Sequence, residues 1–304
     1  MKETLSGGPQ HSTPAVSKPQ AVTGARVLAD RLETCWESYR QDLERCRGEL
    51  SEPQVHDVRV AARRLSVALE MGSSLARKKR GVKLRRLVKT QLNAFDHLRD
   101  IQVQLILLED LPAPLPEIEM FRAYLLRCEQ QTAFRLSRKV LEFQTEELAN
   151  PVLKLRKALL GLDRSADESI LWNLVDRAFA SVRQYQAAAR VDDALTIHNL
   201  RLSFKKFRYR VETVFPLLPA PPENYLDRLQ HYQAAMGEIQ DAEIGLLLLK
   251  AYRARRRANL AGLQAGFEEL YHSKAVTFLA GLKGIDRFWR RTAEAAFPWE
   301  RLKS

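Results

Sequence analysis

The sequence predicts an all-α protein: two four-helix bundles related by an internal pseudo-twofold repeat. Three observations carry this. Proline is absent between Pro53 and Pro112, between Pro151 and Pro216 and between Pro222 and Pro298, and these stretches are rich in Leu, Ala, Arg, Glu and Gln, which favour helix. The segment Val55-His56-Asp57-Val58-Arg59-Val60-Ala61-Ala62-Arg63-Arg64-Leu65 aligns without gaps on Ile197-His198-Asn199-Leu200-Arg201-Leu202-Ser203-Phe204-Lys205-Lys206-Phe207, 142 residues on. Leu98-Arg99-Asp100 then matches Ile239-Gln240-Asp241 at a shift of 141, in the same order.

Residues 1–24 hold Gly7, Gly8, Pro9, Pro14 and Pro19 among Ser, Thr and Gln, and are expected to be a disordered tail. The first half, 25–164, is expected to hold helices near 25–48, 54–72, 79–110 and 116–148, with a short extra at 151–160. Pro112, Pro114 and Pro116 punctuate it, because proline lacks the amide a helix interior needs. The second half, 165–304, is expected to hold helices near 168–190, 193–215, 222–257 and 259–282, with an extra at 284–293. Pro216, Pro219, Pro221 and Pro222 mark its internal break. Four helices per half pack naturally as paired bundles.

Composition narrows the function. With 304 residues and 45% apolar side chains the chain can bury a real core, which excludes wholesale disorder. Three cysteines argue against a disulfide scaffold; Cys35 and Cys46 share a helix at a separation of about 16 Å, beyond disulfide reach. No run of 18 apolar residues and no apolar signal core occurs, so a soluble cytoplasmic protein without membrane contact is expected. The net charge is +12, and residues 55–100 with 197–212 carry all of it. A polyanionic partner is therefore the first expectation.

On the first repeated helix Val55, Val58, Ala62, Leu65 and Leu69 form an apolar seam, and His56, Arg59, Arg63, Ser66 and Glu70 form a polar stripe about 100° round. The copy repeats both, with a seam of Ile197, Leu200, Phe204, Phe207 and Val211 and a stripe of His198, Arg201, Lys205, Arg208 and Glu212. Solvated helix faces have little reason to keep such register. Like charges at these spacings repel, a cost that an arriving anion relieves. From His198 to Arg208 the stripe spans about 15 Å, enough for several phosphates of a linear polymer. The next helix adds Lys83, Arg86 and Lys89 within a run of eight cations from Arg77 to Lys89, and Arg228 and His231 are expected opposite Arg86 and Lys89 at the 142 shift. Arg253, Arg255, Arg256 and Arg257 end a helix, where cations also complement the macrodipole.

His56-x-x-Arg59-Val60-x-x-Arg63-Arg64-Leu65 with Leu98-Arg99-Asp100, then His198-x-x-Arg201-x-x-x-Lys205-Lys206-Phe207-Arg208-Tyr209 with Gly237-Glu238-Ile239-Gln240-Asp241, resembles the CHAD family, the conserved-histidine α-helical domain. The resemblance spans roughly residues 25–295. It implies two four-helix bundles about a pseudo-twofold axis, a basic central cleft, binding of inorganic polyphosphate and association with polyphosphate granules. Some relatives carry a fused CYTH-type triphosphatase domain; nothing in this sequence resembles its motif, so a stand-alone binder is expected. Two departures stand out: Ser66 where the family often has a base, and Asp96 where the second half has Gly237.

The residues point to the same chemistry. Polyphosphate has a charge on every unit and no bases, so a receptor needs Arg and Lys forks and no stacking platform. Neither stripe contains an aromatic, whereas non-specific single-strand binders stack bases on aromatic rings. The expected ligand contacts are His56, Arg59, Arg63, Arg64, Lys83, Arg86, Lys89, His198, Arg201, Lys205, Lys206, Arg208, Arg228 and His231. The two stripe histidines are expected to donate to phosphate oxygens and to strengthen binding as they protonate. Expected partners are polyphosphate and enzymes that metabolise it, with RNA or DNA backbone as the competing polyanion. No cofactor is expected. A metal centre built on His56, His97, His198 and His231 fits poorly, since neither stripe histidine has a His or carboxylate four residues on and neighbouring cations repel a metal. A metal-dependent phosphohydrolase would need Asp57, Asp96, Asp100, Glu238 and Asp241 as Mg²⁺ ligands; pairing with arginines is the simpler role, and no enzyme is expected.

Overall fold

The computed structural model describes residues 23–78, 81–109, 116–163, 167–256 and 259–300. Ten α-helices run in order among them: α1 (Gly24–Gly48), α2 (Glu52–Leu75), α3 (Gly81–Ala94), α4 (Asp96–Glu109), α5 (Pro116–Leu141), α6 (Glu146–Leu160), α7 (Ser169–Ala188), α8 (Ala194–Val214), α9 (Tyr225–Arg256) and α10 (Ala261–Ala280). Short 3-10 turns follow α8 and α10, and among the described residues no β-strand occurs beyond an isolated bridge between Arg190 and Asp193. The all-α class is as expected. Most of the expected tail lies outside the described residues; Thr23 and Gly24 instead open α1, the Thr23 hydroxyl accepting from the Arg26 amide.

Two expected helices are cut differently. The stretch expected as one helix over 79–110 breaks at Phe95, whose ring is buried and lies 6.2 Å from that of Phe143. Burying that ring outweighs helix continuity, and Asp96 restarts the chain in the first turn of α4, where the macrodipole favours a carboxylate. Its counterpart α9 runs unbroken. The helix expected over 116–148 stops at Leu141, and α6 starts at Glu146, so the expected short extra is a full helix packed on α1.

Burial sets the register. On α2 and α8 the buried seams match at 142, but Leu84, Val88, Phe95 and Leu98 recur as Tyr225, Leu229, Met236 and Ile239, each 141 residues on. The one-residue difference therefore falls in the turns before α3 and α9. Arg86 and Lys89 stand opposite Asp227 and Gln230, not opposite Arg228 and His231 as expected.

Each core draws on both halves. The larger runs from α1 and α2 through α7 and α8 to Trp289 and Trp299; the smaller joins Ile101, Leu108, Phe121 and Leu125 to Leu249, Tyr252, Leu263 and Phe267. Where α4 and α10 meet α9, Gly245 is required: a Cβ there would sit 2.4 Å from the Phe267 ring and 2.7 Å from Gln104 Oε1. Gln104 Nε2 donates to the Asp241 carbonyl at 2.8 Å, fixing α4 against α9 beside the polar stripes. Cys35, Cys46 and Cys128 are free thiols, and no helix among the described residues is long and apolar enough to cross a membrane.

Candidate anion site

Helices α2 and α8 bury their seams in the common core and pack on each other, which leaves most of each polar stripe half-buried and His56 exposed. Arg59 and Arg63 from α2 and Arg201 and Lys205 from α8 thereby enter one half-buried cluster. Burial first, then the positive charges of Arg63, Arg201 and Arg59, push the Lys205 ammonium down to about 6, with Asp96 opposing. Burial also lowers Arg63, with Arg59 as its nearest positive neighbour, and lowers Arg201 against the pull of Asp241 and Asp100. Such a cluster is short of negative charge.

The halves differ in how they answer that need. Arg59, only 8% exposed, is ion-paired with Asp96. Among the described residues no carboxylate lies within ion-pair distance of Arg63, Arg201 or Lys205. Tyr209, a buried tyrosine at 4% exposure, acts on the charge of Arg63 from close by. Asp100 and Asp241 flank the cations. Burial raises both, Asp241 to about 6 despite Arg201 and Arg99, and Asp100 despite Arg59.

Beyond Tyr209 the cluster is closed by crossed ion pairs. The Arg208 guanidinium lies 4.3 Å from the centre of the Tyr209 ring, pairs with Glu212 and donates to Gln233 Oε1 at 2.8 Å. Glu212 also takes Arg64 of the other half at 3.3 Å and Arg31 at 3.8 Å. Glu70, its counterpart, takes Arg210 of the other half and Arg85, each at 2.9 Å. Arg64 and Arg208 were expected as ligand contacts; both pair with Glu212, Arg64 as an exposed side chain and Arg208 at 6% exposure. Arg64 and Arg210 each reach the acid of the other half, whereas the Arg208 pair with Glu212 lies within α8.

The other expected contacts are spread out. His198 donates from Nδ1 to Gln240 Oε1, and Gln240 Nε2 donates to Glu243 at 2.9 Å, which leaves His198 Nε2 uncommitted. His56 is lowered by burial and by Arg99, which pairs with Glu52. Lys206 is exposed, and Lys83, Arg86 and Lys89 are exposed on α3. Arg228 and His231 do not join the cluster: Arg228 sits 5.9 Å from the centre of the Phe288 ring, and His231 Nδ1 donates to the Asp227 carbonyl at 2.7 Å. Lys79, Arg80 and Arg257 lie outside the described residues. Among the described residues no group of three His, Cys, Asp or Glu is placed to hold a metal. Tyr209 was missed as a site residue, since it stands one position off the stripe.

Two surface cavities lie on α1, away from the four cations. One, of about 570 Å³, is lined by Trp36, Arg40, Arg47 and Glu146; the other, of about 220 Å³, by Arg31, Cys35, Asp57 and Arg64.

A family model described as the CHAD domain matches residues 30–250. The crystal structure of the CHAD domain from the plant Ricinus communis superposes with a TM-score of 0.70 at 17% identity, covering 91% of this chain and 97% of that one. PptA from Streptomyces chartreusis superposes with a TM-score of 0.59 at 16% identity, covering 86% and 96%. No curated protein matches the chain.

Proposed function

Since the chain belongs to the CHAD domain family, we propose that it binds inorganic polyphosphate through the cluster of Arg59, Arg63, Arg201 and Lys205, and acts as a binder rather than an enzyme. One observation carries this reading: cations from helices 142 residues apart meet half-buried, three of them without a carboxylate partner among the described residues. A polyanion supplies the missing charge, and guanidinium forks suit phosphate oxygens. Lys206, Lys83, Arg86 and Lys89 are open cations from which the rest of a polymer gains attraction at longer range. His198 Nε2 is a further donor or acceptor at the edge.

The expected association with granules in the cytoplasm, and with enzymes that make or degrade the polymer, follows from this reading. Nucleic acid is the competitor, drawn by charge alone. Tyr209, the aromatic beside these cations, is buried and offers no face for a base. Competition between long-chain polyphosphate and single-stranded RNA at about 0.15 M salt tests the reading. Polyphosphate should displace RNA at equal phosphate concentration, and incubation with Mg²⁺ should release no phosphate. RNA displacing polyphosphate, or phosphate release, would contradict it.

A further inference from the structure

We infer that the site takes a polyphosphate chain by its end: one terminal phosphate seats among Arg63, Arg201 and Lys205, and the polymer leaves past His56 and His198. This rests on the polyphosphate reading above and adds which part of the ligand is recognised.

The charge of the cluster suits one group rather than a track. Three cations without carboxylate partners converge from both halves, while the fourth, Arg59, is already answered by Asp96. Three cations around one point suit a dianion. An internal phosphate unit carries a single charge, whereas a terminal one has a second ionisable oxygen; a phosphate monoester carries about −1.5 to −2 near neutral pH. The charge of the seat matches the end of the chain better than its middle.

Closure beyond the seat supports the same conclusion. A chain passing through would meet the buried Tyr209, with Arg208 on its face, and then the Glu70 and Glu212 ion pairs. Arg208 and Arg210 of that layer are committed to carboxylates and largely buried, so opening it would leave buried charges unpaired. The opposite side yields more easily. Asp100 and Asp241 border it, and both are displaced upward by burial, so an approaching anion readily drives their protonation. The polymer therefore enters and leaves on one side.

The test uses the unaltered protein and three probes. Long-chain polyphosphate with free ends is compared with the same polymer after both terminal phosphates are coupled to an amine as phosphoramidates, which leaves every phosphorus singly charged. Linear tripolyphosphate is compared with cyclic trimetaphosphate as competitor, since the ring has no end. We expect capping to weaken binding by about tenfold or more. The linear competitor should displace the polymer and the ring should not, and protein bound per chain should not grow with chain length. Equal affinity of capped and free polymer, with protein per chain rising with length, would overturn recognition of the end and leave polyphosphate binding intact. Binding of neither polymer would overturn both.

Discussion

Arg59 and Arg201 occupy the same place on α2 and α8, yet only Arg59 has a carboxylate partner: Asp96 pairs with it, while the position equivalent to Asp96 in the second half is Gly237. The two halves are thus unequal at the point where they meet. The second half leaves its arginine available, and a Cβ at Gly237 would meet nothing within 4 Å.

Gly237→Asp should therefore supply Arg201 with an internal anion and weaken polyphosphate binding by about tenfold, a loss worth about 1.4 kcal/mol. Gly237→Ala is the matched control. It should bind normally and gain about 0.5 to 1 kcal/mol of stability, because alanine costs less than glycine inside a helix. Binding isotherms and denaturant midpoints separate the two, and equal binding by both variants would remove the role given to this asymmetry.

Loss of either half's cations should disable the whole site. Arg59→Ala with Arg63→Ala, or Arg201→Ala with Lys205→Ala, should each weaken polyphosphate binding far more than Lys83→Ala with Arg86→Ala on the exposed face of α3. Arg253→Ala with Arg255→Ala should change little. Titration of polyphosphate onto each double variant reads this, and equal losses in all four would mean attraction by charge without a defined seat.

Lys205 is costly to the unbound fold, because folding among three arginines drives off the proton that its amine carries in the unfolded chain. Lys205→Met keeps the length and removes the charge. Replacing buried charges by apolar groups of similar size is often neutral or stabilising by about 1 to 4 kcal/mol. The variant should melt no lower than the parent while binding polyphosphate poorly. Thermal unfolding alongside a binding isotherm checks both halves of the statement.

The pH dependence of binding should follow Lys205 more than the histidines. In the free protein Lys205 is pushed down to about 6 by burial and by Arg63, Arg201 and Arg59, so it is mostly neutral at pH 7.5. A bound anion raises it, and raises Asp241 and Asp100 in the same direction. Every shift is upward on binding, so protons are taken up and affinity falls as pH rises above about 6. Without ligand, the unfolded chain holds the Lys205 proton up to its ordinary value near 10.5 while the folded chain releases it at about 6, so this group alone makes stability rise with pH across that window. Calorimetry in two buffers of different ionisation enthalpy counts the protons. Lys205→Arg, charged throughout, should lose most of the uptake, whereas His56→Gln with His198→Gln should keep most of it. The reverse pattern would return the pH response to the histidines.

Much of this was legible in the sequence because helical periodicity is local. The seams on α2 and α8 and the in-step stripes could be read residue by residue, and their meeting follows from two buried seams in one core. What depended on tertiary contact was not legible. Phe95 looks like any residue of a long helix until its ring is seen against Phe143. That Glu212 gathers arginines from both halves, Arg64 and Arg208 among them, is not visible in the sequence. A single-residue change of register before α3 moved Arg228 and His231 out of step, since loops hide insertions that only burial reveals.

The central claim, that cations of both halves act together on a polyphosphate, is tested most directly by titrating polyphosphate from about 0.05 to 0.2 M salt. For DNA the slope of log K against log salt is about −0.9 per phosphate neutralised, so affinity should fall clearly across this range. The slope should become shallower in Arg201→Ala with Lys205→Ala. Affinity that stays flat across this range, or a slope unchanged by removing the two cations of one half, would contradict the account.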